Sequence, residues 1–512
     1  MAAEQGPDRL CAFLSTGAAF GTPDAQVEQI TTHAALIFLV GDRAFKMKRP
    51  VRYSFLDFTT LARRKEALDA ELRLNRRTAP KLYHRVLPVT RANGGLAVDG
   101  AGEPVEWLLE MTRFDQAALL DRIAQDHELD PGTIDALANT LAAFHGDAER
   151  QPDMGGHAAM AEVTVGNAGD LESLVGPVFE EPAVRAVADA TRNTLERARA
   201  LLDRRRDEGF VRHCHGDLHL GNIVLLDGEP VLFDCLEFDP ALATIDTFYD
   251  LAFVLMDLIH RGLGALAQRL LNGYLDATRD DAGTALLPLF LSCRAVIRAK
   301  VTGFATQADA DADEVAAARA YLDLARRFLA PEPPRLIAIG GVSGTGKSTL
   351  ARALAPAIGA APGAILLRSD VIRKRLFGVA PTGRLEPEAY REEVSAKVYD
   401  IMLSCARTLL ESGHAAIIDA VSLDRADRAR IAQVAADASV PFQGLWLTAP
   451  AELLLARVRN REDDASDATA AVLGAQLEVD PGPLDWQEVD ASGAPAAVAR
   501  NARRALAETS AR

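Results

Sequence analysis

Apolar and polar positions follow three successive patterns along this chain. Over roughly the first 115 residues, short alternating runs that read as strands surround one helical stretch, RRKEALDAELRLNRR. One pair of runs, LIFLV and RAFKMK, is separated by Gly41-Asp42, which predicts a hairpin. Residues 116–330 are mostly amphipathic helix, interrupted by VRHCHGDLHLGNIVLL at 211–226. The prolines of APEPPRLIAIGG then end the helical pattern, and a domain boundary is expected near residue 332. Beyond it, LIAIGG, AILLRSD, AAIIDA, FQGLWLT and DWQEVDA alternate with helical segments. Such alternation predicts a parallel sheet covered on both faces. The fold class expected is therefore mixed, α+β followed by α/β, in two domains: 1–331, with a small lobe to about 115 and a helical lobe over 116–331, and 332–512.

Composition narrows the classes of function. The chain has 512 residues, 49% hydrophobic and 25% charged, enough for two to four cores. No apolar run stands out as long enough to cross a bilayer, and MAAEQGPDRL lacks the basic head and apolar centre of a secretory signal. A cytoplasmic protein is expected, with no membrane partner. Five cysteines, at 11, 214, 235, 293 and 405, show no paired C-x-x-C spacing, which argues against a disulfide framework or zinc module. A formal net charge of −16 opposes nonspecific nucleic-acid binding and leaves small molecules as the easier partners. Oligomeric state is not readable.

The most specific motif is Gly341-Val-Ser-Gly344-Thr345-Gly346-Lys347-Ser348-Thr349, placed between a predicted strand and a helix. In this phosphate loop, glycines let backbone N–H groups wrap around phosphates, Lys347 adds a point charge, and Ser348 offers a hydroxyl to Mg²⁺. The motif predicts nucleotide binding. Asp370 ends AILLRSD at the carboxyl end of a strand, where such sheets bind ligands, and Arg373 follows. Asp370 is expected to accept or orient a substrate hydroxyl, with Arg373 steadying an anionic group; a helix N-cap with solvated cations is the competing reading. Asp419 at the end of AAIIDA is placed to hold Mg²⁺ through water. Arg457, Arg459 and Arg461 precede a short helical segment and suit a lid over a transferring phosphoryl group, although a charged helix end explains the same letters. Through GGVSGTGKST, RSDVIRK and the arginine/DASDA segment, residues 335–510 resemble the P-loop kinases of the gluconate, shikimate and adenylate kinase group. The resemblance implies phosphorylation of a small hydroxylated substrate.

The histidine stretch supports two readings. Strand alternation would place His213, His215, Asp217 and His219 on one face, as in a zinc or iron site. The glycines at 216 and 221 instead suggest a tight loop, and the spacing suits phosphoryl transfer of the protein-kinase type. That chemistry needs a base, an Asn five residues later and a second metal-binding Asp after a strand pair. Asp217, Asn222 and Asp234, delivered by the hairpin IVLLDGEPVLFD, have that order. Asp217 is read as the base, with Asn222 and Asp234 holding Mg²⁺.

HGDLHLGN, LFDCLEFDP and TIDTFYDLAFVLMDL resemble the aminoglycoside phosphotransferase and choline kinase family, which shares the protein-kinase-like bilobal fold. The resemblance implies a strand lysine on the nucleotide phosphates, held by a helix glutamate. Lys46 is preferred with Lys48 as alternative, and Glu71 is preferred with Glu66 second. It further implies that EWLLEMTRF is the inter-lobe hinge, that His215 supports the loop, and that Asp246 and Asp250 brace it or shape an acidic acceptor pocket. No G-x-G-x-x-G precedes Lys46, so phosphate cover in the first lobe is expected to come from another loop or to be weak. The whole chain thus resembles the fusions called bifunctional aminoglycoside phosphotransferase/ATP-binding proteins. The expected function is an ATP- and Mg²⁺-dependent phosphotransferase acting on a small hydroxylated molecule; the alternative is a nucleotide-dependent regulator built on a degenerate kinase-like domain.

Overall fold

A computed structural model describes residues 6–52, 56–92, 95–126, 128–306, 312–380, 383–460 and 465–510. They form two compact units, one of residues 1–162 with 198–257, the other of residues 163–197 with 258–512.

The first unit opens with a six-stranded antiparallel sheet: β1 (Val27–Thr31), β2 (Ala35–Val40), β3 (Arg43–Lys48), β4 (Tyr83–Ala92), β5 (Gly95–Val98) and β6 (Glu103–Thr112), in the order β1-β2-β3-β6-β4-β5. The predicted hairpin is present, with Lys46 opposite Ile37 and Lys48 opposite Ala35. Alternation on β3 divides its side chains between two layers. Phe45 and Met47 enter a core with Phe38, Leu108 and Leu14, the last from a helix at Gly6–Leu14. Ala44 enters the opposite layer with Leu68 of the helix Leu61–Asn75. The single helix expected before residue 115 is therefore two, because GPDRLCAFL carries its own apolar stripe for the far face. Thr60 caps the second helix by accepting from the Arg63 N–H.

Farther along, β7 (Val211–His213) pairs with β10 (Thr244–Asp246), and β8 (Ile223–Leu226) with β9 (Glu229–Leu232). The chain between β7 and β8 is a loop rather than a continued strand, so His215, Asp217 and His219 do not share the strand face that the alternation suggested.

In the second unit, β11 (Leu336–Gly340), β12 (Ile365–Arg368), β13 (Ala416–Asp419), β14 (Phe442–Thr448) and β15 (Gln487–Asp490) form a parallel sheet in the order β12-β13-β11-β14-β15. Four of these strands were legible as apolar runs, and β15 as the more polar segment DWQEVDA. The edge strand β12 is covered by the helix Gly264–Thr278. Asn272 there donates to the Leu366 carbonyl at 3.1 Å and accepts from the Leu366 N–H at 3.1 Å, while Gln268 donates to the Ala364 carbonyl at 2.8 Å. Two side-chain amides thus take the place of a neighbouring strand and satisfy an edge that would otherwise be open to pairing. One helical stretch, Asp281–Thr306, is by length and composition apolar enough to cross a membrane, which the sequence reading had not picked out; 72% of its most apolar window is buried inside the protein.

Asn272→Ala should lower the stability of the second unit by about 1–3 kcal/mol, since it orphans both backbone groups of Leu366; an unchanged thermal transition would refute the strand-substitute role. Asp276, on the same helix, lies 3.4 Å from Arg375. Burial, only partly offset by Arg375 and Arg368, pushes its carboxyl from 3.8 up to about 6. Between those values the folded state binds more protons than the unfolded, so stability falls as pH rises through the window. The stability of Asp276→Asn relative to the parent should therefore grow from pH 4 to pH 6 in thermal melts, and a constant difference would contradict this.

Candidate functional sites

The first site is built around a carboxylate with no exposed surface. Glu71 projects from the helix Leu61–Asn75 toward β3, and Lys46 Nζ lies 2.7 Å from its Oε1. The same Nζ meets Asp234 Oδ1 at 2.6 Å. Burial opposes charge on Lys46, but Asp234 and Glu71 outweigh it and hold the lysine well above its ordinary range. Burial likewise opposes charge on Asp234, and Lys46 overcomes it, holding the carboxyl below its ordinary range. Lys46 is therefore a fixed cation and Asp234 a fixed anion. Lys48, the alternative, points from the same strand face to Glu71 Oε2 at 2.7 Å and to Glu237. Glu66 lies exposed.

Several backbone bonds hold these groups together. Asn75 donates to the Glu71 carbonyl and accepts from the Cys235 N–H, tying the helix to the loop that carries Asp234. Asp234 itself has φ of +60° and donates its N–H to Tyr83 Oη. Phe233 N–H donates to the Asn222 carbonyl, and Leu236 N–H to the His215 carbonyl, which zips this loop to the one bearing Asp217. Asn222 donates to the Asp217 carbonyl at 2.8 Å and to its Oδ2 at 3.1 Å. That orientation leaves the Asn222 amide oxygen as its acceptor end, a hard ligand like the Asp234 carboxylate and suited to Mg²⁺.

The loop is braced from below. Asp250 accepts from the His215 N–H at 3.0 Å, the Gly216 N–H at 2.9 Å and His145 Nε2 at 3.2 Å. Asp257 accepts from the Leu220 N–H at 3.0 Å. His215 Nε2 lies 2.9 Å from the Phe233 carbonyl, so the ring joins both loops. Of the two roles left open for Asp246 and Asp250, Asp250 braces the loop, whereas Asp246 forms a bidentate pair with buried Arg205. His219 accepts from the Gly221 N–H and lies 3.5 Å from Asp217 Oδ2. His145, Cys214 and Asp250 also converge within 4.8 Å, a grouping whose residue types could hold a metal. Asp250 is already taken by three donors there, and burial holds the Cys214 thiol well above its usual range, so the cluster reads as packed core.

The second site lies at the carboxyl ends of the parallel strands. Gly341, Gly344 and Gly346 have φ of +129°, +87° and +86°, and a Cβ on Gly341 would lie 2.6 Å from the Leu447 carbonyl oxygen. Only glycine permits this loop. Gly346 is the N-cap of the helix Lys347–Leu354, whose first turn carries Ser348 and Thr349. Lys347 Nζ donates to the Gly341 and Val342 carbonyls, Thr345 Oγ1 to the Val342 carbonyl, and Ser348 Oγ to Asp419 Oδ2 at 2.5 Å. Arg368, which the sequence reading passed over, donates to Ser348 Oγ at 3.2 Å. The loop, a cation, a hydroxyl and a carboxylate together fit a nucleotide phosphate with its metal.

These groups line a cavity of about 820 Å³ that also takes in Asp370, Arg373 and Arg457. Asp370 is in the first turn of the helix Ser369–Leu376, not at its N-cap, which is Arg368. Burial, aided by Asp419, raises its carboxyl above the usual range, and Ser466 hydrogen-bonds to it. Arg373 is 7% exposed and, among the described residues, donates to neutral groups, the Ala389 carbonyl and Ser395 Oγ. Its Nε has no hydrogen-bond partner among the described residues. Arg457 donates to the Ala491 carbonyl; Arg459 is exposed outside the cavity lining, and Arg461 lies outside the described residues. The sequence reading also missed Asp467, which accepts from Tyr390 Oη at 2.6 Å and lies 3.2 Å from Lys374 Nζ. The quoted letters DASDA held that signal, overshadowed by the neighbouring arginines.

The two sites and their folds define a phosphotransferase with a kinase-like unit and a P-loop kinase-type sheet. Residues 49–287 match the phosphotransferase enzyme family, and residues 336–481 match the AAA domain family. The chain is 33% identical over 465 residues to the uncharacterized protein Rv2004c of Mycobacterium tuberculosis, covering 89% of this chain and 90% of that one. It belongs to the same family, in which the two kinase-type regions are joined in one chain. Its similarity to adenylyl-sulfate kinase of Myxococcus xanthus is 32% over 117 residues, or 23% of this chain and 59% of that enzyme. Among solved structures, a choline/ethanolamine kinase family protein from Mesorhizobium loti is 15% identical, with 63% of this chain and 97% of that one covered and a TM-score of 0.39. A gluconokinase from Sinorhizobium meliloti is 24% identical, with 35% and 94% covered and a TM-score of 0.25.

Asp250→Asn should disturb the loop without removing any group proposed to touch ligand. The amide presents an N–H₂ where one of two backbone donors needs an acceptor. Hydrogen exchange at His215 and Gly216 should accelerate by about tenfold or more, and unchanged exchange would show that Asp250 does not hold them.

Proposed function

We propose that this protein is an ATP-dependent phosphotransferase with two nucleotide sites, and that at least one of them phosphorylates a hydroxyl of a small sugar-, aminoglycoside- or amino-alcohol-like molecule. The observation that carries this reading is Lys46, held between Glu71 and Asp234 beside the hydrogen-bonded pair Asp217 and Asn222. Folding alone does not call for a largely buried lysine paired to two carboxylates, because apolar residues of the same volume would serve stability as well, so the set supports a ligand-binding role.

In the first site, Asp217 takes the proton of the acceptor hydroxyl, Lys46 holds the nucleotide phosphates, and Asn222 and Asp234 hold Mg²⁺. In the second, the loop from Gly341 to Thr349 binds the nucleotide, Ser348 and Asp419 hold Mg²⁺, Arg457 lies beside the nucleotide, and Asp370 faces the acceptor. Mg²⁺, when bound, neutralises charge on the phosphoryl oxygens. Arg373 favours an anionic group on the second acceptor. A buried guanidinium that donates to neutral groups and whose Nε has no hydrogen-bond partner among the described residues is stabilised, beyond what the Asp370 carboxylate supplies, when an anion binds beside it.

The test is a metabolite extract incubated with ATP and Mg²⁺ and read by mass spectrometry for species gaining one phosphate. Wild type should yield such a product. Asp217→Asn should abolish it if the first site makes it, and Lys347→Ala if the second does. No phosphorylated species in the wild-type sample, with ATP binding demonstrated, would refute the assignment.

A further inference from the structure

The proposed chemistry does not use Lys48, yet this side chain is 3% exposed and its Nζ lies 2.7 Å from Glu71 Oε2 and 2.5 Å from Glu237 Oε1. A second buried lysine two positions from the first requires a physical reason, because like charges so close together are unfavourable unless carboxylates separate them. Here they do. Asp234, Lys46, Glu71, Lys48 and Glu237 form a row of alternating sign, each neighbour in the row within 2.5–2.7 Å of the next.

The two ends of that row belong to one loop, since Asp234 and Glu237 are three residues apart. Alternate residues on a strand lie about 6.6 Å apart and face the same way, so Lys46 and Lys48 present two fixed cations to the two carboxylates of the loop. Between them, Glu71 engages one lysine with each oxygen. The loop is thereby gripped at two points by a single strand, while the intervening helix carboxylate sets the spacing. Asp234 needs such restraint, because its φ of +60° is a conformation that residues with a side chain seldom adopt.

We propose that Lys48 and Glu237 are positioning residues that clamp the Asp234 loop to β3, and so keep Lys46 and Asp234 in register for nucleotide phosphate and metal. The clamp also fixes the Glu71 helix from its second oxygen, so the Lys46–Glu71 pair is locked in place rather than left as a pair that opens and closes. This rests on the nucleotide-site reading given above.

The test uses the full chain carrying Lys347→Ala, so that the second phosphate loop contributes little signal, with Mg²⁺ and a non-hydrolysable ATP analogue as the probe in calorimetry. Lys48→Met and Glu237→Gln should each raise the Kd by about tenfold, and the double variant should bind about as weakly as the weaker-binding single, because one clamp can be lost only once. Hydrogen exchange should rise across Leu61–Asn75 in each variant while the β4–β6 amides keep their protection. Glu237→Gln preserves shape and an acceptor oxygen, so it carries the test even where Lys48→Met fails to fold. If the pair merely balances charge, the double variant, having lost one cation and one anion, returns to within about twofold of the parent, and the proposal falls. It falls equally if both singles bind like the parent. A parent that does not bind the analogue, or whose binding Lys46→Met leaves unchanged, overturns the site reading itself and the clamp with it.

Discussion

The first unit depends on the enclosure of one carboxylate. Glu71 meets no solvent, and a buried carboxylate is tolerated only when cations and hydrogen bonds replace the water it lost. Much of the local architecture follows from that requirement. β3 places Lys46 and Lys48 on the face that meets the helix Leu61–Asn75, the hydrophobic layers on either side of the sheet hold strand and helix at the necessary separation, and Asn75 fastens the end of the helix to the loop bearing Asp234. The result is a cation and an anion fixed beside each other, at a place where Asp217 and Asn222 also converge.

The second unit answers a different constraint. A parallel sheet gathers the carboxyl ends of its strands at one edge, so Gly340, Arg368 and Asp419 arrive together from β11, β12 and β13 without any further device. The phosphate loop continues directly from the first of these. What the topology does not provide is an ending for the sheet, and β12 would lie open. Asn272 and Gln268 close it, so a helix far upstream in sequence becomes part of the scaffold that carries Arg368, Ser369 and Asp370. Residues 163–197 and 258–331 share a compact unit with the P-loop sheet.

The parts legible from the letters were those with a local physical cause. Apolar runs between helices announced four of the five parallel strands, the more polar DWQEVDA suggested the fifth, and Gly41-Asp42 announced the β2–β3 hairpin. The spacing of Gly341, Gly346, Lys347 and Ser348 reflects a loop whose backbone angles only glycine supplies, and the order Asp217, Asn222, Asp234 reflects a loop and a hairpin of fixed length. Arginines near residue 460 were harder. On a helix, Arg457 and Arg459 cannot face one ligand together, and only Arg457 borders the cavity.

Tertiary structure alone decided which charges pair. Lys46 and Lys48 are equivalent by periodicity, and only the approach of a loop nearly two hundred residues later assigns Asp234 to one and Glu237 to the other. The same holds for Asp250 against Asp246: both lie in one acidic, apolar segment, yet one accepts from the loop's amides and the other is claimed by Arg205. Sequence by itself determined the elements and the chemical inventory, because those depend on residues close together in the chain. Burial and long-range pairing chose among equivalent charges, because the desolvation that makes one partner matter does not exist until the chain has folded.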